Sequence, residues 1–385
     1  MYFGPGLIEN PWRLMMITSK GIAQNISKNL ILRINNNASI LHWNCECSVI
    51  RSKSSFFSKY VLTDQDTIAF YQQGVSKLNG LFLENLRNGD IVSLRDDGVV
   101  NVLWKKGKDD NLLFLTDYCN SNCIMCPQTQ IKNLNNYYDE ALSILNLVND
   151  KPSYLCLTGG EPTFIQSKYL EVVKAIRNKN SKVALQVLTN GKNFSNLSFA
   201  KECVINSPID TLYAVPLYSA NDTLHDRIVR SKDSFKKSVT GILNLYKLKQ
   251  NIEIRIVITK LNYKDLPNIA HFIYWNMPFV FHVAFMGMET HGIAADNIDE
   301  VWIDPSSYMK YLEEAVGFLS DRMLNVSIYN MPYCILPKGL YMFAKDSISE
   351  WKKVFLEPCK NCSMFSSCSG VFSTSIVKPN GIHSL

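Results

Sequence analysis

Two hydrophobic rhythms divide the chain. Up to about residue 110 the apolar runs are short and separated by turn-forming residues. Gly4, Pro5 and Gly6 make a turn-rich start, and Ile31–Ile34 and Phe56–Leu62 read as strands. The segment Asn88–Lys106 alternates around Asp96-Asp97-Gly98. It predicts a β-hairpin with strands Ile91–Leu94 and Val99–Trp104. Residues 1–110 are therefore expected to form a small, mostly β accessory domain.

From Leu112 the rhythm changes. Apolar runs at Leu112–Thr116, Tyr154–Thr158, Val183–Leu188, Thr211–Leu217, Ile252–Thr259 and Phe279–Phe285 alternate with helical patterns, among them Tyr138–Val148, Tyr169–Arg177 and Ser234–Leu248. A βαβα succession predicts a parallel sheet with helices outside it, here over residues 111–304. Six such units fall short of an eight-stranded barrel, but functional loops still belong at the carboxyl ends of the strands. Asp304 before Pro305 is a helix-start signal for Pro305–Arg322, and a strand follows at Val326–Tyr329. Residues 305–385 form a C-terminal extension with a second group of cysteines.

Composition narrows the class. The chain has 385 residues, 46% hydrophobic, with a formal charge of +6 that is dispersed rather than gathered in runs. That argues against a nucleic-acid face, which requires clustered basic residues. No apolar run approaches the roughly 18 residues that span a bilayer, and no signal-peptide pattern opens the sequence, so a cytoplasmic protein without membrane partners is expected. Eleven cysteines in such a protein point to metal rather than disulfides. Cys45 and Cys47 stand too close together for a two-ligand arm and read as ordinary thiols, as do Cys156 in a strand and Cys203 in a helix.

Cys119, Cys123 and Cys126 follow the run Leu112–Leu115 in a Cys-x3-Cys-x2-Cys pattern. Three thiolates are one short of a closed zinc or iron–sulfur site, which leaves a position open. A zinc knuckle with a distant fourth ligand is the plainer alternative. Past the second predicted strand comes Gly159-Gly160-Glu161-Pro162, where paired glycines permit close backbone approach and Glu161 can receive a cation.

These two motifs resemble the radical S-adenosylmethionine (SAM) superfamily. The resemblance implies a partial (β/α)6 TIM-like barrel. Its cysteine triad would hold a [4Fe-4S] cluster whose fourth iron binds SAM, and reductive cleavage of SAM would give a 5′-deoxyadenosyl radical. It also implies a reductant such as flavodoxin or ferredoxin. By the same resemblance Gly159, Gly160, Glu161 and Pro162 would bind the SAM amino group, and Asn190 in Leu188-Thr189-Asn190-Gly191 would face SAM. Ser219 would touch its ribose or carboxylate, and backbone near Gly287 its adenine. Arg255, inside an apolar strand, needs a partner; either the SAM carboxylate or a structural ion pair would serve. Glu289 and His291 are candidates for the substrate cavity, and His225 reads as a capping or core hydrogen-bonding residue.

In the tail, Cys334, Cys359, Cys362 and Cys368 supply four thiolates, enough to close a site around iron–sulfur or zinc. The spacing resembles the SPASM or twitch extensions of radical SAM peptide maturases, and this implies one auxiliary [4Fe-4S] cluster. Phe372 stands where the full SPASM pattern has a further cysteine. Finer stretches, among them CNSNCIMCPQ, FMGMETHGIA and YNMPYCILP, are similar to the His-Xaa-Ser system radical SAM maturases. That implies a ribosomally made precursor peptide or protein as substrate, and a second radical SAM enzyme as a partner. The N-terminal domain would then be placed to recognise the precursor. Other expectations stay open: a maturase forming thioether or carbon crosslinks on a different precursor, or a zinc-stabilised, non-catalytic peptide scaffold.

Overall fold

The computed structural model describes residues 18–36, 46–50, 59–66, 68, 72–129 and 134–385. The Gly4-Pro5-Gly6 start, Cys45 and the 56–58 part of the predicted strand Phe56–Leu62 lie outside them. The hairpin forms as its alternation predicts, with strands Ile91–Leu94 and Val99–Trp104. Gly98 takes φ +82° at the turn, a conformation that glycine adopts without strain.

Among the described residues, the hairpin belongs to a mixed sheet of eight strands. The segments Thr18–Lys20 and Ile22–Gln24 are continuous but pair with opposite ends of that sheet, the first with Val99–Trp104 and the second with Gln73–Ser76. The sheet thereby closes on itself. The changeover is at Gly21, where a Cβ would lie 2.0 Å from the Ser76 carbonyl oxygen. Leu32, Ile34, Leu62, Val75, Val92, Leu94 and Val100 fill the interior. Ile91, Leu103 and Trp104 instead join the larger core of the following domain, so the hairpin serves two cores through its alternate faces.

That domain is built on eight parallel strands in sequence order: Leu112–Phe114, Tyr154–Thr158, Ala184–Leu188, Thr211–Pro216, Asn251–Val257, His282–Met286, Val326–Tyr329 and Ala344–Lys345. The first six are those predicted, and the sheet runs on past residue 304 through the last two. It is a parallel α/β sheet resembling a partial TIM barrel. Helices Leu197–Asn206, Asp222–Val229 and Leu266–Asn276 join the predicted ones. The first two are started by Asn196 and Asn221, whose side chains accept from Phe199 N and Leu224 N. The predicted helix Pro305–Arg322 is instead a short 3-10 turn, Pro305–Ser307, followed by a helix at Met309–Ser320. Asp304 does cap the start, accepting from Ser306 N at 3.0 Å, but its other oxygen accepts from Asn380 N, which holds that turn against the tail.

Alternation in the strands separates two environments. Leu155, Leu157, Leu185, Val187, Tyr213, Val215, Ile252, Ile254 and Ile256 pack against the helices. Burying each such side chain contributes about 1.5–3 kcal/mol. The opposite face is polar and cross-linked between strands. Tyr154 donates to Gln186, Glu253 accepts from Arg255 Nε at 2.5 Å and pairs with His282 Nδ1 at 2.7 Å, and His282 Nε2 meets Ser327 Oγ.

Candidate active site

The cysteine loop leaves the carboxyl end of the first parallel strand. It is fastened on three sides. Asn122 N and Ile124 N donate to the Val229 and Ile228 carbonyls at the end of helix Asp222–Val229, and Ala294 N donates to the Cys126 carbonyl. The third side is the loop after the second strand, where Gly160 N donates to Thr116 O at 2.7 Å and Glu161 N to Tyr118 O at 2.8 Å. This explains the paired glycines. A Cβ on Gly160 would lie 2.4 Å from Tyr118 O, and one on Gly159 2.8 Å from Thr116 O. The close approach is to the neighbouring loop's backbone.

Glu161 is fully buried. One carboxylate oxygen accepts from Thr163 N, Thr163 Oγ1 and Thr189 Oγ1, and the other from Asn190 N at 2.7 Å. The carboxylate thus ties the second-strand loop to the third, with three donors on one oxygen and one on the other. Tyr138 Oη meanwhile holds the Pro162 carbonyl at 3.0 Å.

Asn190 bridges to the cysteine loop, donating to Asn120 Oδ1 at 2.6 Å, with Cys119 Sγ 3.9 Å from the same nitrogen. Two residues on, Lys192 is buried under that loop. It donates from Nζ to the Asn120 carbonyl and to Ser231 Oγ. Nothing in the Asn190-Gly191-Lys192 stretch marks this lysine as internal, since turns of that kind ordinarily place lysine in solvent.

Cys119 is exposed, and Cys123 and Cys126 are half-buried; none is in a disulfide. Desolvation pushes all three thiols up. Cys119 reaches about 12 and Cys126 about 11, with Glu161 adding to the effect at Cys119. Cys119 keeps solvent contact in spite of that desolvation. The Lys192 ammonium pulls Cys119 and Cys123 back down. Burial in turn lowers Lys192, while the two thiols and Glu161 oppose that shift. The raised thiols are protonated at neutral pH, and a metal bound there would have to displace their protons.

The remaining predicted residues fall in different places. Ser219 is fully buried, donates to Asp265 at 2.5 Å and accepts from Asn221 N, so it builds the turn after the fourth strand. Gly287 has both peptide groups engaged, its N on the Tyr329 carbonyl and its O under Asn330 Nδ2. Arg255 pairs with Glu253, the structural ion pair left open as one reading. His225 is buried, and its Nδ1 accepts from Tyr218 N at 3.2 Å, a core role. Burial lowers it to about 4, so it is neutral. Glu289 is held by residues from the tail, with Lys352 Nζ on both of its oxygens at 3.0 and 2.8 Å and Thr374 Oγ1 on one at 2.5 Å. Lys352 and Thr374 carry no motif and were missed from the sequence.

Cys334 and the group Cys359, Cys362 and Cys368 line one cavity with Phe355, Phe365 and His383. A ribbon of Lys353–Val354 against Val371–Phe372 carries the arms that bear the last three. Among the described residues, no three His, Cys, Asp or Glu side chains converge as tightly as a single metal ion requires. A four-iron cube spreads its thiolates over its corners and needs them further apart. Both sets of free thiols suit such a group in donor chemistry.

Fold and loop together define a class: a parallel α/β partial barrel with a three-cysteine loop at the carboxyl end of its first strand. The sequence model of the Radical SAM superfamily matches residues 113–273, the segment that carries the cysteine loop and the first five parallel strands. The match spans less than half of the chain. No curated protein matches. Solved structures similar to the chain include Streptococcus suis SuiB bound to S-adenosylmethionine, at 14% identity and TM-score 0.44, covering 56% of this chain and 49% of that one. Another is anSMEcpe with bound AdoMet and the Kp18Cys peptide, at 16% identity and TM-score 0.41, covering 56% and 62%. A third is coproporphyrinogen III oxidase (HemN) from Escherichia coli, described as a radical SAM enzyme, at 14% identity and TM-score 0.41, covering 55% and 51%. The chain thus spans about half to three-fifths of the structures it resembles. No helix among the described residues is long and apolar enough to cross a membrane.

Proposed function

We propose that this chain is a radical SAM enzyme that modifies a ribosomally made peptide or protein precursor. Cys119, Cys123 and Cys126 would hold a four-iron cluster with SAM on its open iron. When bound, that pair supplies one-electron cleavage of a sulfonium and hence a hydrogen-abstracting carbon radical. The chain's own part is to hold three thiols on a fastened loop, with the Gly159-Gly160 backbone and Asn190 beside them. The observation that carries this reading is the backbone seam between the cysteine loop and the Gly159–Glu161 loop. It sets both motifs at one place on the sheet's carboxyl edge.

The four tail cysteines would hold an auxiliary four-iron cluster. Four thiolates leave no iron position free, which suits an electron relay or a structural role. The His-Xaa-Ser assignment rests on the quoted sequence stretches. An anaerobically reconstituted sample tests the enzyme reading: about eight irons per chain and deoxyadenosine from SAM under strong reductant are expected. Stoichiometric zinc without iron overturns it in favour of a scaffold. Mass spectrometry of a His-Xaa-Ser repeat precursor, coexpressed with and without this chain, tests the substrate. An unchanged mass there, with SAM cleavage intact, points to a different precursor.

A further inference from the structure

Two lysines are buried around this site, and they are treated differently. Lys352 is 8% exposed and faces a carboxylate, with both Glu289 oxygens on its Nζ. Lys192 is 6% exposed and pairs with no carboxylate among the described residues. Its two hydrogen-bond acceptors, the Asn120 carbonyl and the Ser231 hydroxyl, are neutral. Glu161 acts on it through its field, but its carboxylate is hydrogen-bonded to Thr163, Thr189 and Asn190 and not to Lys192. An ammonium taken out of water without a facing anion is costly, so buried charges are paired or face a bound ion. The largest negative fields that can reach this one are those of Cys119 and Cys123 as thiolates, with Glu161 third.

We infer that Lys192 is the built-in counter-charge of the anionic, thiolate-held group bound by Cys119, Cys123 and Cys126. The inference rests on the cluster reading proposed above. An iron–sulfur cube on three thiolates is net negative, and more so after it accepts an electron. A fixed cation beneath the loop therefore favours both its retention and its reduction. Lys192 is a positioning residue: its Nζ reaches the loop through the Asn120 carbonyl, and its field acts on the sulfurs.

The test compares full-length wild type, Lys192→Met and Lys192→Arg, each reconstituted anaerobically with iron and sulfide alone, without SAM. In Lys192→Met, iron at the triad falls severalfold while the tail's share is kept, and the triad's reduction midpoint, followed by electron paramagnetic resonance, moves to more negative potential. Lys192→Arg restores most of both. The metal-free Lys192→Met protein melts no lower than metal-free wild type, because an unpaired buried cation has been removed. Wild-type iron content and midpoint in Lys192→Met overturn the inference, as does a large drop in melting temperature of the metal-free variant. Wild type that takes up no iron at the triad overturns the cluster reading itself.

Discussion

The three-cysteine loop and the four-cysteine tail are held by different means. The loop hangs from a large parallel sheet, and its backbone is bonded to the Gly159–Glu161 loop, to a helix end and to Ala294. The tail cysteines sit among short 3-10 turns, Glu357–Asn361 and Phe365–Ser367, and a ribbon two residues long on each side. The core of the α/β domain draws on every strand of that domain except the first, at Leu112–Phe114, and the last, at Ala344–Lys345, for several buried side chains each, whereas the tail past residue 350 contributes none to it. The first site is organised by the fold in advance; under the proposed reading the second would depend on the group it binds, because a site with little core gains its folding free energy from the ligand.

The sharpest break between the two is a single thiol in each. Cys123→Ala should abolish deoxyadenosine formation and remove about half the iron, leaving the tail's share. Cys362→Ala should remove the other half and leave SAM cleavage measurable. Equal loss from both sites in either variant would show that they assemble as one. Removing metal from the wild type sharpens the same contrast. The tail from about residue 350 should become susceptible to limited proteolysis while the barrel stays protected, the order expected where local stability differs.

The seam between the two regions comes next in size. Glu289→Gln leaves the Lys352 ammonium buried without its counter-ion, and the loss should be on the order of 3 kcal/mol in chemical denaturation. Gly160→Ala forces a methyl group to within 2.4 Å of Tyr118 O. About 1–3 kcal/mol is expected there, with slower iron uptake at the triad but not at the tail.

The smallest effect is acid-dependent. Burial pushes the Glu253 carboxyl up, but the His282 hydrogen bond and Arg255 outweigh it and hold it below the usual carboxylate range. Its contribution to stability is complete above the ordinary glutamate value and is lost as pH falls through the lowered one. Glu253→Gln should flatten that part of the stability–pH curve, and an unchanged slope would remove the network from the account.

Much of this was legible in the sequence because strand-forming runs such as Tyr154–Thr158 bury one face against helices and carry a local signal. The cysteine loop and the Gly159-Gly160 turn were legible as well, since both depend on residue type at fixed spacing. What escaped depends on contacts distant in sequence. Lys192 reads as a surface residue until Asn120 and Ser231 close over it. The bonds of Glu161 to Thr189 and Asn190, a βα unit away, carry no signal in the sequence either. The apolar run Leu340–Ala344 is mostly a 3-10 turn, and only its end, Ala344–Lys345, is a strand, paired with Ile328 and Tyr329.

The changeover at Gly21 bears on how a long polypeptide could be received. Many modules capture extended peptides along an unpaired sheet rim, where backbone donors and acceptors wait for a new neighbour. In the N-terminal sheet, residues 18–24 occupy both rims at once, so the described residues offer no full-length berth of that kind. Grafting a leader-like segment onto this domain by annealing strand to strand would first require peeling residues 18–24 away.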